Sequence, residues 1–240
     1  MENFAKKIAF TLAEVIIVVG IVGIIAEMTI PTVIGDIQAQ SLRAAFNKSY
    51  SNLTAAVQRT IYDDYGGSLV ISSASDFIVF MNNLQKHYIK SIGCTTTQIC
   101  PGDAIFPLEK FGSSEAGVFM SSNYKTYTKS GASSSFNDGI IALADGGFIF
   151  YDYSEASEAT SGMYFLAIDV NGWRKKPNRF GHDFFTFQLS NNGKILPMGA
   201  ENTFYSQGVY CSKTSTHGCN GYGCTSKALV ESDYFNNLPK

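Results

Sequence analysis

The chain has 240 residues, of which 45% are hydrophobic and only 16% charged, with a formal net charge of −2. That is enough apolar material for one sizeable domain with its own core. It excludes the basic surplus of a duplex nucleic-acid binder.

The strongest signal comes first. Lys6 and Lys7 are followed by a small residue, a Phe, and a nearly unbroken apolar run from Phe10 to Ile34. As a helix those 25 or so residues extend roughly 37 Å, more than the ~30 Å of a bilayer core. The run carries two acids, Glu14 near its start and Glu27 near its end. A cleaved secretory signal would need a shorter apolar stretch and an A-x-A-like site, and AEMTIPT offers none. A plain uncleaved anchor fits the length and the positive-inside rule. It leaves an acid four residues into the apolar run without a reason.

The third reading is a resemblance. AFTLAEVIIVVGIVGIIAEMTIP resembles the N-terminal segment of type IV pilins and type II secretion pseudopilins: a short basic leader, a small residue, Phe, a Glu at the fifth mature position and a Pro at the twenty-second. Counted from Phe10, these are Glu14 and Pro31. The residue before the cut is usually Gly in that family and is Ala9 here, which is also small. The motif covers about 30 residues of the chain.

The resemblance implies cleavage between Ala9 and Phe10 by a prepilin peptidase, N-methylation of Phe10, and assembly into a filament with copies of itself or other pilin-like subunits, through an inner-membrane assembly platform. It implies residence in a bacterial cytoplasmic membrane, N-terminus inside and C-terminal domain outside, then in a pilus or pseudopilus. Residues 1–9 would be leader, 10–34 the membrane and assembly helix, and 35–240 the extracytoplasmic domain. Removing the leader takes away Glu2, Lys6 and Lys7 and moves the formal charge from −2 to −3.

A carboxylate at membrane depth costs roughly 2.5–3.5 kcal/mol on insertion scales. The new amine on a neighbour's Phe10 would neutralise Glu14 and set the register between subunits. The plainer alternative is a Glu14 solvated near the interface.

Beyond the run, Pro31 and Gly35 should bend the helix without ending it. In QSLRAAFNKSYSNLTAAVQRTIYDDYGG, Leu42, Ala45, Phe46, Leu53, Val57 and Ile61 form one stripe that needs a sheet to lie on. Gly66 and Gly67 make the stop. Ser75 reads as the N-cap of a second helix that buries Phe77, Phe80, Met81, Leu84 and Tyr88. Residues 91–135 read as loops with a short strand near Gly117–Met120.

From Gly139 the period becomes two. GIIALADGGFIFYDYS predicts a hairpin turning at Asp145-Gly146-Gly147, MYFLAIDV a third strand, and FFTFQLSNNGKILPMG a hairpin turning at Asn191-Asn192-Gly193. A long helix followed by four or five antiparallel strands gives an α+β roll. This agrees with the pilin-like architecture that the resemblance implies.

The five cysteines, all in the second part of the chain, suit an oxidising compartment. Cys94–Cys100 and one bridge among Cys211, Cys219 and Cys224 are expected, which leaves one thiol over. A zinc site of Cys211, Cys219, Cys224 and His217 has the right ligands at spacings that fit no compact pattern.

The loop from Asp169 to Asp183 offers Asp169, Asn171 and Asp183 as oxygen ligands for Ca²⁺, a reading that the resemblance strengthens, since some pseudopilins hold calcium between strands. The alternative is a set of Asx turns with Gly172 at positive φ. Otherwise no cofactor is expected. Trp173, Arg174, Lys175 and Lys176 form a basic-aromatic loop, read as solvated, with a partner subunit, a secreted substrate or single-stranded DNA as the alternative contact.

His87, His182 and His217 are scattered and match no catalytic motif, and no Gly-rich phosphate loop is present, so an enzyme is not expected. The reading is a structural filament subunit. Two alternatives stand beside it: a minor tip subunit that binds a secreted protein, a surface or DNA, and a membrane-anchored extracytoplasmic enzyme.

Overall fold

The computed structural model describes residues 11–88, 92–95, 122–143, 146–154 and 163–240. The chain divides into two compact units, Met1–Ser41 and Leu42–Lys240. In the first, the described residues are helical from Leu12 onward. Its apolar residues from Leu12 to Ile37 face solvent.

One helix, α1 (Leu12–Tyr65), runs through both units with Pro31 inside it. The helix continues through Pro31, as expected. Proline removes the N–H that would reach the carbonyl four residues back, and that loss does not stop the flanking apolar helix formers.

In the second unit α1 buries Phe46, Leu53, Ala56, Val57 and Thr60. Thr60 satisfies its buried hydroxyl by donating to the Ala56 carbonyl at 2.8 Å. Gly66 and Gly67 both adopt positive φ, and the Gly67 N–H returns to the Ile61 carbonyl at 2.9 Å, which ends the helix.

Helix α2 (Ala74–His87) starts at Ser73, two residues before the expected cap. Ser73 and Asp76 form a reciprocal capping box. The choice follows from Asp76: its carboxylate collects the N–H groups of Ser72 and Ser73, a geometry only a cap at Ser73 allows. Phe77, Phe80, Met81 and Leu84 are buried as predicted; Tyr88 is the half-buried C-cap.

The sheet is an antiparallel meander of six strands in sequence order: β1 (Ile92–Thr95), β2 (Gly139–Ala142), β3 (Phe148–Ser154), β4 (Met163–Asp169), β5 (Phe184–Leu189) and β6 (Ile195–Pro197). Both predicted hairpins and the third strand are present. Ile92–Thr95, within the 91–135 stretch expected to be mostly loop, is a strand. It is a four-residue edge strand containing Gly93 and Cys94, too short for a period-two signal, and its partner β2 lies more than 40 residues away. The strand expected near Gly117–Met120 lies outside the described residues.

Residues directly paired across the sheet share a face. One face carries Ile149, Tyr151, Tyr164, Leu166, Ile168, Phe185, Phe187 and Leu189, and the helices cover it. Phe46 meets Phe185 at 4.1 Å with the rings tilted, and Tyr50 stacks at 5.5 Å on Phe187 and Phe77 at 4.8 Å on Tyr164.

The opposite face is just as buried. Phe148, Phe150, Phe165, Ala167 and Phe184 form a second core with Tyr124, Phe136, Phe180, Met198 and Tyr222. Irregular segments supply that cover, which explains why β4 and β5 are buried almost throughout instead of alternately.

Candidate functional site

Ala9 and Phe10, where cleavage and methylation were expected, lie outside the described residues. Their neighbours are informative. The Thr11 N–H donates to Glu14 Oε2 at 2.8 Å, the Thr11 hydroxyl donates to the same oxygen at 2.7 Å, and the Glu14 N–H donates to Thr11 Oγ1 at 3.3 Å. This is a capping box built on T-x-x-E at the head of α1.

The T-x-x-E spacing ahead of an apolar run is itself the sequence signature of such a cap. The cap gives even a plain anchor helix a local reason to carry that acid. Past the cap, Leu12, Val15, Ile16, Ile17, Val18 and Val19 begin an exposed apolar surface. By length and composition this is a helix able to cross a membrane.

In the second unit the structure brings the three candidate calcium ligands together and shows what holds them. Asp169 Oδ1 accepts the Asn171 and Gly172 N–H groups at 3.2 and 2.7 Å. Its Oδ2 accepts the Tyr124 hydroxyl. Asp183 accepts the Asn178 and Arg179 N–H groups, each at 2.8 Å, and the Asn171 side chain as well.

Gly172 sits at φ +84, and a Cβ there would meet the Gly146 carbonyl oxygen at 2.2 Å. Each carboxylate is thus the centre of a turn. Burial pushes Asp169 up to about 7 and Asp183 up to about 6, with the nearby Asp183 charge adding to the rise at Asp169. The carboxylates already hold donors from the fold itself, and we derive no step through a cation.

Sequence reasoning missed the partner of this pair. Arg179 is 4% exposed, and it lends its backbone N–H to Asp183 while its guanidinium donates to the Tyr127 and Pro239 carbonyls. The 169–183 loop, the 122–138 segment and the chain's last residues are therefore tied at one point. No local pattern announces such a residue, because its acceptors lie 52 and 60 positions away.

Trp173, expected at a solvated tip, is half-buried against the second core. Its carbonyl accepts from the Asn178 side chain, and the Arg174 guanidinium lies 5.4 Å from its ring centre. Arg174, Lys175 and Lys176 are exposed.

The histidines occupy three unrelated places. His87 Nε2 lies 2.8 Å from Asp64 and joins the end of α2 to the end of α1. His182 is buried against the Tyr127 carbonyl at 3.2 Å, and burial pushes it down to about 3, so it stays neutral. His217 is exposed, and its Nδ1 accepts the Cys219 N–H.

The C-terminal cysteines resolve into a Cys211–Cys224 disulfide and a free, half-buried Cys219. The bridge expected within that trio is present. It takes two of the four residues that a zinc site would need, so Cys211, Cys219, Cys224 and His217 do not form one. Among the described residues there is no cluster of three or more His, Cys, Asp or Glu side chains placed to hold a metal. Cys94 lies on β1, and its expected partner Cys100 falls outside the described residues.

Together these features define a chain with a membrane-compatible N-terminal helix and an α+β domain that carries a disulfide. Comparison with protein-family models, with curated proteins and with solved structures finds no match.

Proposed function

We propose that the chain is a structural subunit of a type IV pilus-like or type II secretion pseudopilus filament, made as a precursor. A prepilin peptidase cuts between Ala9 and Phe10, Phe10 is N-methylated, and the subunit waits in the cytoplasmic membrane with its domain outside. Assembly then packs the apolar half of α1 against the same helix of other subunits. In the fibre the Glu14 carboxylate, held by Thr11 in the single chain, meets the Phe10 amine of a neighbour.

The observation that carries this reading is α1 itself. One unbroken helix bears the T-L-A-E cap and 15 exposed large apolar side chains between Leu12 and Ile37, and its second half is the main helix on an antiparallel sheet. The physical logic is that a greasy surface of that length needs either lipid or its own kind.

The test is the intact mass and N-terminal sequence of the protein from its native membrane. Methylated Phe10 supports the proposal, and an unprocessed Met1 defeats it. Replacing Glu14 with Leu should abolish fibre formation while leaving membrane insertion intact. Normal fibres from that variant would remove the charge-pairing step.

The minor tip-subunit reading has one observation in its favour. Phe204 and Val209 are exposed beside the disulfide-closed segment, where Tyr205 and Tyr210 meet edge to face at 4.9 Å. Copy number and position along purified fibres separate the two roles.

A further inference from the structure

Three cations share one loop. Arg174, Lys175 and Lys176 are all exposed, and residues 170–182 include no acid. Among the described residues none of the three is ion-paired. The loop that presents them is fixed in place. The Lys175 N–H donates to the Gly172 carbonyl at 2.9 Å, the Asn178 side chain holds the Trp173 carbonyl, and Trp173 packs against the second core.

The adjoining 122–131 segment adds Lys125 and Lys129 and no acid, and its Lys125 N–H donates to the Asn178 carbonyl at 2.9 Å. In the C-terminal segment the acids are engaged: Glu231 pairs with Lys227 at 3.6 Å, and Asp233 accepts the Asn237 side chain at 2.7 Å. Behind the loop, burial pushes Asp169 up to about 7, which trims the negative charge enclosed there. The whole chain carries −2, so this positive surface is local.

The loop lies at an identifiable end of the domain. Phe46 meets Phe185 and Tyr50 stacks on Phe187, so β5 runs beside α1 in the same direction. The loop precedes β5 and therefore sits level with the start of the domain's helix. The C-terminal segment links the same places. Arg43 donates to the Ser232 carbonyl at 2.8 Å, Phe235 packs on Phe46, and the Tyr234 hydroxyl donates to the Gly181 carbonyl at 2.6 Å. At the other end of the sheet, a Cβ on Gly193 would meet Ile61 at 2.4 Å. Leu42 opens this unit, five residues past Ile37, the last exposed large apolar side chain of the N-terminal run. Five residues of chain span at most about 18 Å.

We propose that this basic loop docks on the anionic phospholipid headgroups of the membrane that holds the apolar half of α1. Docking rests on the membrane-spanning reading of that half, and it holds whether or not fibres form. The charge sits at the end of the domain where the chain passes to its apolar run, within reach of headgroups. The cations form a spot on one loop, whereas a nucleic-acid strand needs a charged track with aromatic platforms. Trp173, the aromatic beside them, is taken up by the core and by Arg174. Because hydrogen bonds already hold the loop, docking orders little that is not ordered beforehand.

Trp173 is the chain's only tryptophan and so reports on this loop. The full-length protein is reconstituted in vesicles of phosphatidylcholine alone, or of phosphatidylcholine and phosphatidylglycerol three to one. Each carries a trace of headgroup-dansylated lipid, and energy transfer from Trp173 measures how close the loop comes. Each Lys or Arg near an anionic surface gives about a fivefold preference, so three favour the docked state roughly a hundredfold. Transfer should therefore rise with phosphatidylglycerol. It should fall back from about 0.1 M to about 1 M salt, as the screening length drops from about 10 to about 3 Å.

The combined variant Arg174→Gln, Lys175→Gln, Lys176→Gln, its fold checked by near-UV circular dichroism, should lose the phosphatidylglycerol gain. Equal wild-type transfer in both vesicles, or an undiminished gain in the variant, overturns the proposal. If the variant fails to fold, the lipid and salt dependence of the wild type decides. Flotation in alkaline carbonate tells two failures apart. Loss from pure phosphatidylcholine vesicles refutes the spanning helix and the docking with it, whereas retention there without a phosphatidylglycerol gain refutes the headgroup contact alone. Salt-sensitive binding of a labelled single-stranded oligonucleotide, with no such gain, assigns the loop to nucleic acid and also overturns the proposal.

Discussion

The Cys211–Cys224 bridge closes a loop with a sequence separation of 13. In the chain-entropy model a loop of that size contributes about 3 kcal/mol by restricting the unfolded chain. The bridge has a tertiary consequence as well. Cys224 is fully buried and begins the helix Thr225–Val230. On either side of it, the Tyr222 carbonyl accepts the Thr186 hydroxyl and the Thr225 hydroxyl accepts the Thr186 N–H, at 2.5 and 3.0 Å. The staple therefore fixes the segment that covers β5.

The clean perturbation is Cys211→Ser in a Cys219→Ser background, which leaves Cys224 as a buried thiol with no local partner for a new bridge. For a domain of about 200 residues a loss of about 3 kcal/mol lowers Tm by roughly 6–12 °C. The assay is thermal unfolding of the full-length protein in detergent, followed by near-UV circular dichroism, with Cys219→Ser as the reference. Dithiothreitol should shift the reference by that much more than it shifts the double variant, in which only a Cys94–Cys100 bridge is left to cut. A change below about 1 kcal/mol, or an equal reductant effect in the two proteins, would refute the reasoning.

Other consequences can be checked in the same way. Phe46 is buried between Phe185 and Phe235, and Phe46→Ala should destabilise the domain by about 3–5 kcal/mol, read from the denaturant midpoint. Ser73→Ala removes the α2 capping box and should cost about 1 kcal/mol, seen as faster amide exchange in the first turn of α2. Asp169 is raised in the fold, so the folded protein holds a proton that the unfolded chain releases, and its contribution to stability is lost as pH rises toward and through about 7. Asp169→Asn can still accept the Asn171 and Gly172 N–H groups. It should therefore gain stability relative to wild type from pH 5 to pH 8 in urea titrations, and an unchanged difference would count against a buried titrating acid.

The sequence by itself determined everything written in short-range periodicity. The apolar run of α1, the stripe from Phe46 to Val57, the glycine stop at 66–67, the core face of α2, both hairpins and the Asn191-Asn192-Gly193 turn of the second were legible; Asp145 of the first turn lies outside the described residues. Each depends on residues within one helical turn or one hairpin of each other, so local spacing carries the physics. The Thr11–Glu14 box was equally local and was missed by attending to charge instead of position.

Tertiary structure alone decided the second face of the sheet. Tyr124, Phe136, Phe180, Met198 and Tyr222 reach it from irregular segments that share no period. Their partners lie tens of residues away, where chain entropy leaves no pattern in the sequence. It also decided which of three cysteines pair, because a disulfide follows Cα proximity and not spacing along the chain. The same long-range packing gathers Asp169 with Asp183. Burial, and not residue identity, pushes both of those acids up.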